Sequence, residues 1–217
     1  MKIIKNKKLL ALTTFICLLP IAMYLAVYNS LPEQMIQQWG TDGTGNWTMP
    51  RQWAILVLPL FLTLVHLIVV FAVNLDPKRE NTAPVMHNLI YWLMPVASIF
   101  ANLTILFANL GVNFDVGAAT LVFVGLLFVI IGNYLPKTRQ NYTVGFRVPW
   151  TLNDADNWSQ THRLAGRLLV LGGILFILGA VLPLPPAALV ALLISVLVLI
   201  VVVPTLYSIS IYRKSKG

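Results

Sequence analysis

Acidic residues are scarce in this chain. Seven Asp and Glu stand against 15 Lys and Arg over 217 residues. None of the seven falls inside a long apolar run, which argues against a proton-coupled pump, because proton relays inside a membrane are built largely from carboxylates. Cysteine is nearly absent as well. The single Cys17 excludes a disulfide framework and a thiol metal cluster, and it reads as a small buried hydrophobe. Charged residues of both signs reach only 10%, against roughly 25% in a soluble domain. Also missing are a paired-histidine zinc motif, a serine elbow and a glycine-rich phosphate loop behind a strand. An enzyme is therefore not expected, and neither a metal nor a cofactor is implied.

Long apolar stretches fill the space instead, with 58% of the residues hydrophobic. Six runs can be marked: 9–28, 53–73, 89–110, 116–135, 164–182 and 186–207. Each is about 20 residues, enough to cross a hydrocarbon core of ~30 Å at ~1.5 Å per residue. Without water to satisfy bare main-chain groups, such segments must be helices. The expected fold is an all-α membrane protein of six spans. Its halves, 1–115 and 116–217, hold three spans each, the arrangement of a three-plus-three inverted repeat.

The basic residues set the orientation. Fourteen of the 15 flank the first span's start, the second-to-third and fourth-to-fifth connections, and the chain's end; only Arg51 falls on the opposite side. Basic residues stay cytoplasmic, so both termini are expected there, in a bacterial cytoplasmic membrane. The net charge of +8 is thus an orientation signal. Its residues are dispersed over four segments, unlike the compact basic surface of a nucleic-acid binder. The basic start followed by an apolar run is not a secretory signal, since the run is too long and lacks a small-x-small cleavage pattern. Tyr28, Trp53, Tyr91, Trp92, Tyr134, Tyr207 and Tyr212 lie near span ends, where aromatic rings anchor helices among lipid headgroups.

Two polar loops interrupt the spans. The outer one, 29–53, contains Pro32, Trp39, Gly40, Asp42, Gly43 and Trp47. Asp42, Thr44 and Asn46 alternate as calcium ligands do, but Trp53 stands where the closing glutamate is required, so a glycine-rich turn is expected. The inner loop, 131–152, brings Gly132, Asn133, Pro136, Asn141, Gly145, Arg147, Pro149 and Trp150 into a segment too short for its own core. It must pack on the bundle or on a partner, with the planar fork of Arg147 as a lysine-intolerant contact. A helix then begins, capped by Thr151 or Asn153, with Asp154 and Asp156 in its first turn. Capping explains these carboxylates better than acid–base chemistry. Trp158, His162, Ala165 and Leu169 share one face, while Arg163 and Arg167 lie on another and reach lipid phosphates.

Small residues recur every seven positions in two spans: Ala118, Gly125 and Gly132, then Ala165, Gly172 and Gly179 beside a second ridge of Gly166, Gly173 and Ala180. Such faces let helix backbones approach closely in lipid, most simply each other. His66 lies in mid-span, where a titratable group faces the bundle interior. Asn102 and Asn109 are its expected partners.

These residues resemble a known family. Ile131-Gly-Asn-Tyr-Leu-Pro-Lys, Asn141-Tyr, Gly145-Phe-Arg-Val-Pro-Trp-Thr-Leu, Trp158 and Thr161-His-Arg-Leu-Ala-Gly166 are similar to the signature of the SdpI family of bacterial immunity proteins. Leu31-Pro, Trp39-Gly, Asp42-Gly and Trp47 resemble the DUF1648 module, with Gln38 departing from the histidine common before the tryptophan. The resemblance implies a multi-pass protein that contacts membrane lipids and protects a cell from an extracellular SdpC-type toxin peptide. It also implies, from one member, capture of a cytoplasmic repressor. The alternative is a small secondary transporter, supported by a short echo between 47–53 and 150–158.

Overall fold

A computed structural model describes residues 6–215; Lys2, Lys5 and Lys216, which entered the charge argument, lie outside them. The chain is helical, with six segments among the described residues long and apolar enough to cross a membrane. They are α1 (Lys7–Ala26), α2 (Arg51–Leu75), α3 (Pro84–Asn109), α4 (Val116–Tyr134), α6 (Ala155–Val181) and a final span made of α7 (Pro186–Leu197) and α8 (Val203–Lys214). The Asn6 carboxamide starts α1 by accepting from the Leu9 amide at 3.0 Å, the usual role of an N-cap. The final span is continuous but wider over Val198–Val202, a π-helical segment just before Pro204. Proline removes one amide from the helix ladder, which accounts for a local change of pitch there.

Two small additions complete the chain. The outer loop is not only a turn: it forms an antiparallel hairpin, β1 (Gln34–Trp39) and β2 (Gly45–Pro50). The inner loop contains a one-turn helix, α5 (Pro149–Asn153). The segments that echoed each other in sequence therefore differ in form, since 47–50 is strand and 150–153 is helix.

By packing, the residues fall into two compact units. The first takes the chain up to Asn74 together with Asn88–Gly117, and its core joins Tyr24, Leu31, Met35, Ala54, Ile55, Ile105 and Leu106 under the hairpin. The second takes Leu75–His87 together with the chain from Ala118 onward, with Phe176, Val196 and Ile200 at its centre. The α2–α3 connection thus packs with the second unit, against the inner loop.

The two helices that flank the inner loop pack on each other, as their small-residue faces imply, and the contacts sort the two ridges of α6. Gly125 and Gly132 of α4 face Gly173 and Gly166 of α6: a Cβ on Gly132 would lie 2.6 Å from the Gly166 carbonyl oxygen, and one on Gly125 2.7 Å from that of Gly173. The other ridge turns away to the last span, with Gly172 against Val196 and Ile200, and Gly179 against Leu192. Two glycine faces on one helix hold two neighbours at backbone distance.

Candidate functional site

The most highly organised polar region is a cap in the second unit, and one asparagine shapes it. Asn141 is fully buried. Its Oδ1 accepts from the Thr143 amide (3.0 Å) and the Val144 amide (2.7 Å), while its Nδ2 donates to the Arg139 carbonyl (2.9 Å). An asparagine bonding its own chain two and three residues on closes a turn that has no helix or strand to satisfy its amides.

A carboxylate from the α2–α3 connection locks that turn. Asp76, 5% exposed, accepts from the Lys78 amide (2.7 Å) at one oxygen and from the Tyr142 amide and Thr143 hydroxyl (both 2.8 Å) at the other. A buried carboxylate is tolerable only when hydrogen-bonded in this way. Asn81 adds two more links, donating to the Gln140 carbonyl (2.7 Å) and accepting from the Arg139 amide (2.9 Å). Lys78 places its ammonium over the Tyr142 ring, 4.9 Å from the centroid. Asp76 and Asn81 carry no local signal in the sequence; only their position in space makes them part of the cap.

His162 forms the floor. Its Nδ1 lies 2.8 Å from the Trp158 carbonyl and its Nε2 3.0 Å from the Phe146 amide. A carbonyl only accepts and an amide only donates, so the imidazole is the neutral Nδ1–H tautomer. Trp158 stacks on it at 3.9 Å and donates its indole N–H to the Thr138 carbonyl (2.9 Å). Gly145 is required above it: its φ of +113° is a left-handed-side conformation, and a Cβ there would run into His162 Nε2. Thr151 is also buried. Its hydroxyl donates to the Phe146 carbonyl (2.7 Å) and accepts from the Val148 amide (3.1 Å), and Gln140 donates to its carbonyl (2.8 Å).

Several expectations need correction here. Neither Thr151 nor Asn153 caps α6; Asp154 does, accepting from the Asp156 and Asn157 amides at 2.9 and 3.1 Å. Asn133 is exposed, and among the described residues its side chain makes none of these cap hydrogen bonds. Arg147 is exposed and uses one guanidinium nitrogen, on the Tyr142 carbonyl at 2.8 Å, so the planar-fork argument loses its basis. Pro136 packs over Gly166, Pro149 opens α5, and Trp150 sits 6.0 Å from Tyr212 with its indole nitrogen buried and without a partner among the described residues. Asn157, not singled out in the sequence, ties α6 to the last span: Oδ1 accepts from the Ser208 hydroxyl (2.6 Å) and Nδ2 donates to the Ser208 carbonyl (3.0 Å).

The first unit places the remaining residues. The hairpin tip is closed by the Gly40 amide on the Thr44 carbonyl (2.8 Å), with Gly43 at φ +77°. Asp42 accepts from the Thr44 amide (3.0 Å) and hydroxyl (2.8 Å), which hold its carboxyl below the ordinary value. Pro32 and Trp47 are exposed, whereas Trp39 packs on the core under the hairpin. Arg51 donates to the Leu31 carbonyl (3.0 Å) and lies over the Tyr28 ring, so it fastens the end of α1. The asparagines do not serve His66. That histidine is fully buried, and its Nε2 meets the Thr13 hydroxyl at 3.0 Å. Asn102 instead donates to the Ser98 carbonyl and carries the Tyr24 hydroxyl on its own carbonyl, and Asn109 binds β1. Tyr91, expected as a headgroup anchor, is fully buried and accepts from Asn74 at 3.0 Å.

Comparison with known proteins divides the chain along similar lines. Residues 137–208, which hold the cap and α6, match the SdpI/YfhL protein family. Residues 15–63, which hold the hairpin, match a domain of unknown function, DUF1648. The chain is 27% identical over 194 residues to "Immunity protein SdpI" of Bacillus subtilis (strain 168), covering 89% of this chain and 90% of that protein. No solved structure matches the chain.

Proposed function

We propose, from the premise that this chain carries an SdpI/YfhL region behind a DUF1648 region, that it is a membrane immunity protein protecting a bacterial cell from a secreted SdpC-type killing peptide. The observation that carries this is similarity along nearly the whole length of a protein named for immunity. The cap's chemistry agrees with binding and not with a reaction: Asp76, Asn141, Thr151 and His162 all spend their polar atoms on main-chain groups of the cap. They hold a surface in shape.

The same reading orients the surfaces. The α2–α3 and α4–α6 connections bond to each other, so they share one side of the membrane, and Ser208 near the end of α8 joins the start of α6 there. With most basic residues at those ends, this side is cytoplasmic, both termini included. The hairpin then meets the peptide outside, and the cap is the inner surface on which a cognate repressor is held.

Expression of the chain in cells sensitive to an SdpC-type peptide tests the reading. Survival is expected to rise with the protein, and to fall back for Asn141→Ala at equal membrane level. Equal killing with and without the wild-type chain overturns it.

A further inference from the structure

The two edges of the hairpin are treated unequally. Ile36 in β1 gives both main-chain groups to Asn109, its amide donating to Oδ1 at 2.8 Å and its carbonyl accepting from Nδ2 at 2.9 Å. A residue in an antiparallel strand directs its N–H and C=O to the same side. Ile36 therefore faces away from β2, and its cross-strand partner Thr48 faces away from β1. The Arg51 amide on the Glu33 carbonyl (3.0 Å) sets the same alternation. Residues 33, 35, 49 and 51 point into the hairpin, and 34, 36, 48 and 50 point out.

One edge is thus closed by a carboxamide that imitates a neighbouring strand. The other offers the Thr48 amide and the Thr48 carbonyl; Thr48 is exposed and turned away from β1, whereas the Pro50 carbonyl stands at the start of α2, where it serves the helix. Beside this edge, alternation puts Trp47, 51% exposed, and Met49 on one face. Together with Val57 and Phe61 of α2 they line an apolar cleft of about 150 Å³.

We propose that the open edge of β2 is the docking strand for an extended segment of the killing peptide, with apolar side chains at alternate positions. This rests on the proposed function. Main-chain pairing to Thr48 would supply the hydrogen bonds, and every second side chain of the added strand would lie over the Trp47–Met49 face. A lipid tail matches only the cleft and leaves the Thr48 groups unused. A second copy of this chain matches less well: β2 paired with itself about Thr48 sets a Pro50 opposite Asn46 at both ends of the ladder, so two amides are missing where an added strand without proline meets only one such gap.

The test uses the full chain in lipid nanodiscs and a synthetic SdpC-type killing peptide. On adding peptide, exchange of the Thr48 amide should slow at least tenfold, as hydrogen-bonded amides do, while the Met49 amide, already turned into the hairpin, changes little. Thr48→Pro removes the outward amide and should weaken binding roughly tenfold. Thr48→Ala keeps the main chain and should bind like wild type. Protection of the Met49 amide, which faces Met35 across the hairpin, reports that the hairpin is intact in each variant, and where Thr48→Pro loses it, wild-type exchange decides. Binding with the Thr48 amide unprotected overturns this proposal and leaves the immunity reading standing. No peptide binding overturns it whatever the survival result. Protection of Thr48 by nanodisc lipid alone, or a dimer lost in Thr48→Pro, gives the edge another occupant and also overturns it. Failure of the chain to protect sensitive cells is the separate failure of the immunity reading.

Discussion

Gly145 is the residue on which the cap's geometry depends most narrowly. Its positive φ and the imidazole nitrogen where a Cβ would stand mean that even alanine must push His162 off the Phe146 amide. Gly145→Ala should cost about 1–3 kcal/mol, seen as a lower melting temperature in detergent, with faster exchange at the Phe146 amide. Unchanged melting and exchange would show that the loop adapts at no cost. Gly145 and Asn141 stood out in the sequence as members of one polar loop, and His162 as a residue on one face of the helix that follows it. Their roles were not legible there. Asp76 lies 66 residues before its partner Tyr142, and no local rule connects a loop carboxylate to an amide that distant. Arg147 erred in the opposite direction: a residue rich in donors was expected to use them, but it sits exposed on a single carbonyl.

Among the elements, α4 and α6 show how much a periodic pattern leaves open. Seven-residue spacing identified the small faces, but two such faces on α6 lie about one residue apart around the helix, and spacing alone cannot say which neighbour each meets. The structure assigns Gly166 and Gly173 to α4 and Gly172 and Gly179 to the last span. Gly132→Ala should therefore destabilise the second unit by about 1–3 kcal/mol, because its Cβ meets the rigid Gly166 backbone. Gly117→Ala, whose Cβ meets only the Asp115 carboxylate at 3.2 Å, should melt like wild type. Equal melting of both variants would mean that the seam opens freely. The hairpin was missed for a different reason. β1 is short and its ladder is irregular between Ile36 and Trp39, while the alternation of Trp47 and Met49 in β2 covers too few residues, almost all of them exposed, to mark a strand.

For the molecule as a membrane protein, sidedness is the consequence open to direct measurement. Single cysteines introduced at Thr44 and at Tyr142, against the buried native Cys17, should react with an impermeant maleimide in opposite settings: Thr44→Cys in intact cells, Tyr142→Cys only after the membrane is opened. Reaction of Tyr142→Cys from outside would reverse the proposed orientation. Helix number and approximate span limits were already decided by the residues in order, because the bilayer asks only for length and apolarity, and both are local properties. The charge bias is likewise a sum over positions and needs no fold. Which polar groups meet is not a sum. Thr13 with His66, Asn109 with Ile36, Asp76 with Tyr142 and Asn157 with Ser208 join residues 51 to 73 positions apart. Each polar group needs a partner when buried but accepts many kinds, so residue type leaves the choice open. Helix packing makes it, by bringing one candidate within hydrogen-bond reach.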